Sequence, residues 1–168
     1  ALALTRPDRL RRLMVVDIAP MAYDHEAEHG GLIRAMQAID LAAAPDRGAV
    51  DAQLATEVSH PMIRQFLLTN LQRRGAQWVW RIPLGTLAEQ LPVIQGWPEG
   101  LGTLTERPVR FVHGGASDYV GGAGRAAIAR HFPEADVVSY PGVGHWLHAE
   151  APQRFTDELN DFVTQPHP

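Results

Sequence analysis

With 168 residues, 45% hydrophobic and 20% charged, the chain has the size and composition of one globular domain or a large piece of one, far from the disordered range. A net charge of −4 with no Lys/Arg-rich run leaves no basic surface for nucleic acid, and apolar runs of only a few residues are too short to span a membrane. Zero cysteines exclude disulfides, thiolate metal sites and a cysteine nucleophile, and fit a cytoplasmic location.

The first residues, Ala1 to Arg6, read as the last turns of a helix ended by Pro7-Asp8. They carry no initiator Met and no signal-peptide pattern, so further polypeptide is expected ahead of them. Leu13 to Asp17 follows as a short Val-rich strand. About ninety residues, Ala19 to Arg107, then change character. Gly30 to Leu41 is an amphipathic helix with Leu32, Ile33, Met36 and Ile39 near one face, and Pro61 to Leu71 is another. Trp78 to Arg81, a helical Leu84 to Leu91 and a Pro/Gly-rich exit around Trp97 and Gly102 complete the section. A connection of that length is no simple loop, and it reads as an inserted helical cap.

Val109 to His113 and Asp136 to Tyr140 repeat the pattern of a strand buried on both faces, as Leu13 to Asp17 does. Each of the two is followed by a helical pattern, Gly124 to His131 and then Pro152 to Val163, the latter with Pro near its start. Strand, helix, strand, helix predicts parallel pairing with right-handed crossovers. The expected organisation is therefore a helix end and core strand (1–18), a helical cap (19–107), and C-terminal core strands and helices (108–168).

Catalytic groups in open α/β sheets sit at the carboxyl ends of strands. The three strands here run into Asp17, into His113-Gly-Gly-Ala-Ser117-Asp118-Tyr119, and into Gly144-His145-Trp146. An imidazole with a pKa near ~6.5 exchanges a proton at neutral pH, and a carboxylate holds its tautomer and stabilises the imidazolium. His145 is the candidate base. Asp118 is the first candidate for the acid and Asp17 the alternative, because Asp118 could instead cap the next helix and Asp17 could be a turn residue before Pro20. His148 and His113 read as structural. His25 and His29 have a metal-like spacing but lack a third ligand, so no metal and no cofactor is expected. The chain has three serines, Ser59, Ser117 and Ser139, and no Gly-x-Ser-x-Gly motif.

Thr5 to Leu10, Val15-Val-Asp17-Ile-Ala-Pro20, Ile63 to Leu71, Trp80-Arg81, Gly114 to Val120 and Gly144-His145-Trp146-Leu-His148-Ala-Glu150 run through the whole chain. Together they resemble the C-terminal half to two-thirds of an α/β-hydrolase, closest to the small bacterial acyl and acyl-CoA esterases and their mitochondrial abhydrolase-type relatives. The resemblance implies an α/β fold with a helical cap, His145 as the catalytic His, and Asp118 or Asp17 as the acid. It implies an acyl ester or thioester substrate, with Tyr23, Phe66, Leu67, Trp78, Trp80, Tyr119 and Trp146 as candidate lining. The family's nucleophile elbow and oxyanion loop would lie ahead of Ala1.

These 168 residues alone are therefore expected to be inactive, since oxyanion stabilisation by itself is worth roughly 3–4 kcal/mol. The expected partner is the N-terminal half of the same hydrolase, packed against Leu13 to Asp17. Two alternatives stay open: an epoxide hydrolase or dehalogenase with an Asp nucleophile, and a non-catalytic interaction domain of hydrolase fold.

Overall fold

A computed structural model describes residues 1–24 and 26–165. Two compact units emerge, Ala1–Ala22 with Trp97–Pro168, and Tyr23–Gly96. The second is narrower than the 19–107 section expected from composition.

The first unit begins with α1 (Leu2–Thr5) and a 3-10 turn at Pro7–Arg9, where proline ends the helix. Its sheet has three parallel strands in the order β1 (Leu13–Val16), β4 (Val109–Gly114) and β5 (Asp136–Tyr140). Helices α6 (Gly122–His131) and α8 (Pro152–Thr164) follow β4 and β5, with a short α7 (Leu147–Glu150) between β5 and α8. Only β4, the middle strand, is buried nearly throughout, and Arg110 is its one half-buried residue. The expectation of burial on both faces fails for β1 and β5, each paired with β4 alone among the described residues, and Val16 at the end of β1 is 36% exposed. Val112, Tyr140 and Leu147 form a core with Met14, Val138, Val143, Ala151 and Phe155. Phe111 packs on Phe132, and Gly124 in α6 lies against the methyl of Ala19.

Tyr23–Gly96 has its own core. Helices α2 (Glu26–Gln37), α3 (Arg47–Leu54), α4 (Pro61–Leu68) and α5 (Leu84–Gln95) contribute Met36, Val50, Leu54, Leu67, Leu68 and Leu84. Asp46 caps α3 through the amide of Ala49, and Arg64 ties α4 to Asp51 of α3 at 2.9 Å. The amphipathic pattern to Leu71 overran the helix. Leu71 starts an antiparallel hairpin of β2 (Leu71–Arg74) and β3 (Gln77–Trp80), turned at Gly75 with a φ of 64°. Among the described residues no helix is long and apolar enough to cross a membrane.

Arg110 fastens α8 to the sheet. Its guanidinium lies 2.9 Å from Asp136, 2.6 Å from Glu158 and 3.0 Å from Asp161, over the Phe162 ring. Burial opposes its charge, but the hydrogen bond to Asp161 and the charges of Asp136 and Glu158 outweigh that and raise its pKa. Arg110→Ala leaves Glu158, whose side chain is only 18% exposed, without its cation. The expected cost is about 2–3 kcal/mol in denaturant unfolding, nearly all from Glu158, because Asp136 and Asp161 are largely solvated. An unchanged unfolding midpoint would reduce the cluster to surface decoration.

Candidate active site

The site begins where β1 ends. Val16 pairs with Val112, which brings the next residue, Asp17, alongside the end of β4, where its amide donates to the Val112 carbonyl at 2.8 Å. Asp17 has a φ of 51°, the one non-glycine residue in the left-handed region among those described. Asp tolerates that conformation better than most residues, and such backbone departures cluster at functional sites. Its side chain is 1% exposed. A carboxylate removed from water must be met by donors, and three converge on this one. The Gly114 amide reaches Oδ1 at 2.7 Å, while the Ser117 hydroxyl at 2.5 Å and His145 Nδ1 at 2.6 Å reach Oδ2.

His145 arrives on the turn after β5, through Gly142 with a φ of 74°, Val143 and Gly144. A carboxylate oxygen only accepts, so Nδ1 carries the proton, and in the neutral ring Nε2 is the nitrogen that holds the lone pair. The imidazole is 46% exposed, and one face stacks on Tyr119 with centroids 4.2 Å apart. The loop comes very close to β4. A Cβ on Gly114 would sit 2.1 Å from the Gly144 carbonyl oxygen and 2.5 Å from that of Val143, so only glycine fits. Trp146 is half-buried beside the His148 ring.

Of the two acids expected as partners for His145, the structure brings Asp17, the alternative, to the imidazole rather than Asp118. Asp118 is exposed on the turn after β4, and the N-cap of α6 is Gly121, so it does not cap that helix either. Parallel pairing decides the matter physically, because it sets the end of β1 directly beside the end of β4. Ser117, one residue before Asp118, points a hydroxyl at the same carboxylate and accepts from the Tyr119 amide. Sequence reasoning gave Ser117 no role, although its place in the loop after β4 was a usable signal.

The remaining candidates divide. Leu67 is 6% exposed in the core of the Tyr23–Gly96 unit, and Trp80 and Trp78 pack against that core, Trp80 donating its indole N–H to the Met36 carbonyl at 3.0 Å. Phe66 is 51% exposed and Tyr23 half-buried. His113 is buried, and Arg125 donates to its Nε2 at 2.9 Å, so its Nδ1–H donates to the Gly114 carbonyl, a neutral structural histidine. His148 is exposed. His29 Nδ1 lies 2.9 Å from the Gln95 amide, and His25 lies outside the described residues. Among the described residues no group of three His, Cys, Asp or Glu could hold a metal.

No protein-family model matches the chain. It is 39% identical over 166 residues to the mouse sn-1-specific diacylglycerol lipase ABHD11, an alignment covering 96% of this chain and 54% of that protein. It is 32% identical over 152 residues to the esterase YbfF of Escherichia coli, covering 90% of this chain and 57% of that one. Among solved structures, a marine microorganism esterase superposes with a TM-score of 0.90 at 31% identity, covering 95% of this chain and 63% of that one. The chain belongs to the α/β-hydrolase superfamily. It corresponds to the C-terminal portion of the α/β-hydrolase fold, and it spans about half the length of the curated relatives it matches.

The close approach of β4 and the His145 loop makes Gly114→Ala the sharpest test of this hydrolase-fold site. Overpacking backbone against backbone is expected to cost at least ~3 kcal/mol and to part His145 from Asp17. Gly31→Ala is the control, since a Cβ there meets nothing within 4 Å, and in the interior of α2 it should raise stability by about 0.5–1 kcal/mol. Thermal melting of the two variants side by side makes the comparison. Equal melting temperatures would mean that the loop can yield.

Proposed function

We propose that the chain supplies the acid–base half of a serine hydrolase that cleaves small acyl esters or thioesters. The observation that carries this reading is the hydrogen bond from His145 Nδ1 to the buried Asp17 carboxylate, with the imidazole nearly half open to solvent. Matching relatives named as a diacylglycerol lipase and an esterase support the reaction class.

In this mechanism the nucleophilic serine and the oxyanion donors lie on a segment outside these 168 residues, packed along β1. The exposed apolar side chains of Leu2, Val16 and Ile18 suit such a neighbour. His145 Nε2 accepts the serine proton as the hydroxyl oxygen attacks the acyl carbon. Asp17, holding Nδ1–H, stabilises the imidazolium through that step. The imidazolium returns the proton to the departing alkoxide or thiolate as the acyl–enzyme forms. Water, deprotonated by the same nitrogen, then releases the acid and regenerates the serine. The Tyr23–Gly96 unit, inserted between β1 and β4 in the sequence, is the proposed cap, and Phe66 and Tyr23 are its candidate contributions to acyl binding. Zero cysteines support a cytoplasmic location for the reading.

Hydrolysis of p-nitrophenyl acetate and butyrate by the nucleophile-bearing protein that contains this chain tests the assignment. His145→Ala is expected to abolish turnover. Asp17→Asn, which keeps the shape but donates where the carboxylate accepted, should lower kcat by roughly 10³–10⁴-fold. Asp118→Asn should stay within about twofold of the parent, as exposed residues outside the machinery do. Full activity in His145→Ala would end the enzyme reading, and a collapse in Asp118→Asn with Asp17→Asn intact would reverse the acid.

A further inference from the structure

The loop that carries His145 is held from one side by the end of β4 and from the other by a carboxylate that the mechanism above does not use. Glu150 closes the short helix α7, and its side chain turns back on the loop. Oε2 accepts from the Gly144 amide at 2.7 Å, and Oε1 accepts from the Trp146 amide at 3.2 Å. These are the two peptide N–H groups on either side of His145. An acid reaching back to the free amides at a helix start is familiar from the capping box. Here it spans the residue that carries the imidazole. Space has been left for it, since a Cβ on Gly144 would lie 3.0 Å from Oε1 and 3.3 Å from Oε2.

We propose that Glu150 is a positioning residue that clamps the His145 loop by accepting both flanking amides, and so fixes where Nε2 meets the nucleophile. The inference deepens the serine-hydrolase reading and rests on it. Asp17 holds the ring at Nδ1 and Tyr119 covers one face, but a shift of the backbone that carries the imidazole would still move Nε2. The clamp opposes that shift. With the Gly144 carbonyl wedged against Gly114 and the Gly144 amide tied to Glu150, the peptide groups leading into His145 are restrained on both sides. Glu150 touches neither substrate nor reacting atoms in this scheme. Its effect reaches the chemistry only through geometry, where an error of about 1 Å lowers a rate by up to ~100-fold.

The test uses the nucleophile-bearing protein with p-nitrophenyl butyrate, comparing Glu150→Ala, Glu150→Gln and His145→Ala. Glu150→Ala is expected to lower kcat roughly 10- to 100-fold with KM nearly unchanged. Glu150→Gln, which keeps one acceptor oxygen and loses the other, should fall between Glu150→Ala and the parent. Backbone amide exchange at Gly144 and Trp146 should quicken in Glu150→Ala, in a protein whose circular dichroism matches the parent. If Glu150→Ala fails to fold, Glu150→Gln carries both readouts. An inactive His145→Ala beside Glu150 variants with parental kcat would overturn the clamp and leave the hydrolase reading standing. A fully active His145→Ala would remove the reading on which the clamp rests.

Discussion

A single carboxylate, withdrawn almost wholly from water, organises the end of the sheet. Burying a charge without donors costs several kcal/mol, so Asp17 at 1% exposure can persist only where hydrogen bonds replace its hydration. Those hydrogen bonds come from the end of β4 and the loop that follows it and from the loop after β5, so one side chain ties the end of β1 to two segments distant from it in sequence. Left-handed backbone at Asp17 is the local concession to this arrangement. The imidazole is one of the donors that satisfy the buried charge, and this leaves its second nitrogen available for proton transfer.

Glycine makes the convergence sterically possible. Gly114 admits the carbonyls of Val143 and Gly144 at distances that exclude any side chain, and Gly144 in turn admits the Glu150 carboxylate. The His145 loop thus lies between a strand end and a short helix, with Tyr119 against the ring face. Such rigidity suits general acid–base chemistry, where a base must meet its proton within hydrogen-bond reach.

The rest of the first unit supports that corner. Arg110 joins β4, β5 and α8 through three carboxylates, and Phe111, Val112, Tyr140 and Leu147 fill the spaces beside the sheet. Trp97 donates to His131 Nε2 at 3.3 Å while His131 Nδ1 lies 2.9 Å from the Gly102 carbonyl, which anchors the chain as it returns from the inserted unit. That unit closes its own core around Met36, Leu54 and Leu68. Its two tryptophans, Trp78 and Trp80, pack partly buried against that core.

Local pattern carried much of this architecture. The Val-rich strands Leu13–Val16, Val109–Gly114 and Asp136–Tyr140 and the Pro-led helix Pro152–Thr164 were legible within a residue or so, because short β-branched runs bounded by turn residues and an amphipathic helical repeat are both visible in local sequence. The hairpin of Leu71–Arg74 and Gln77–Trp80 was not, since strands of only four residues give too short a pattern to read and are stable only through pairing and packing. His145 could be singled out from its glycine turn at the end of a strand. Its partner could not, because Asp17 and Asp118 each follow a strand and a local pattern cannot rank two acids a hundred residues apart. The sequence by itself determined the fold class, the strand order's parallel sense and the candidate base. The tertiary structure alone decided which carboxylate meets that base, because the choice depends on the register of β1 against β4 and on which acid is buried among donors.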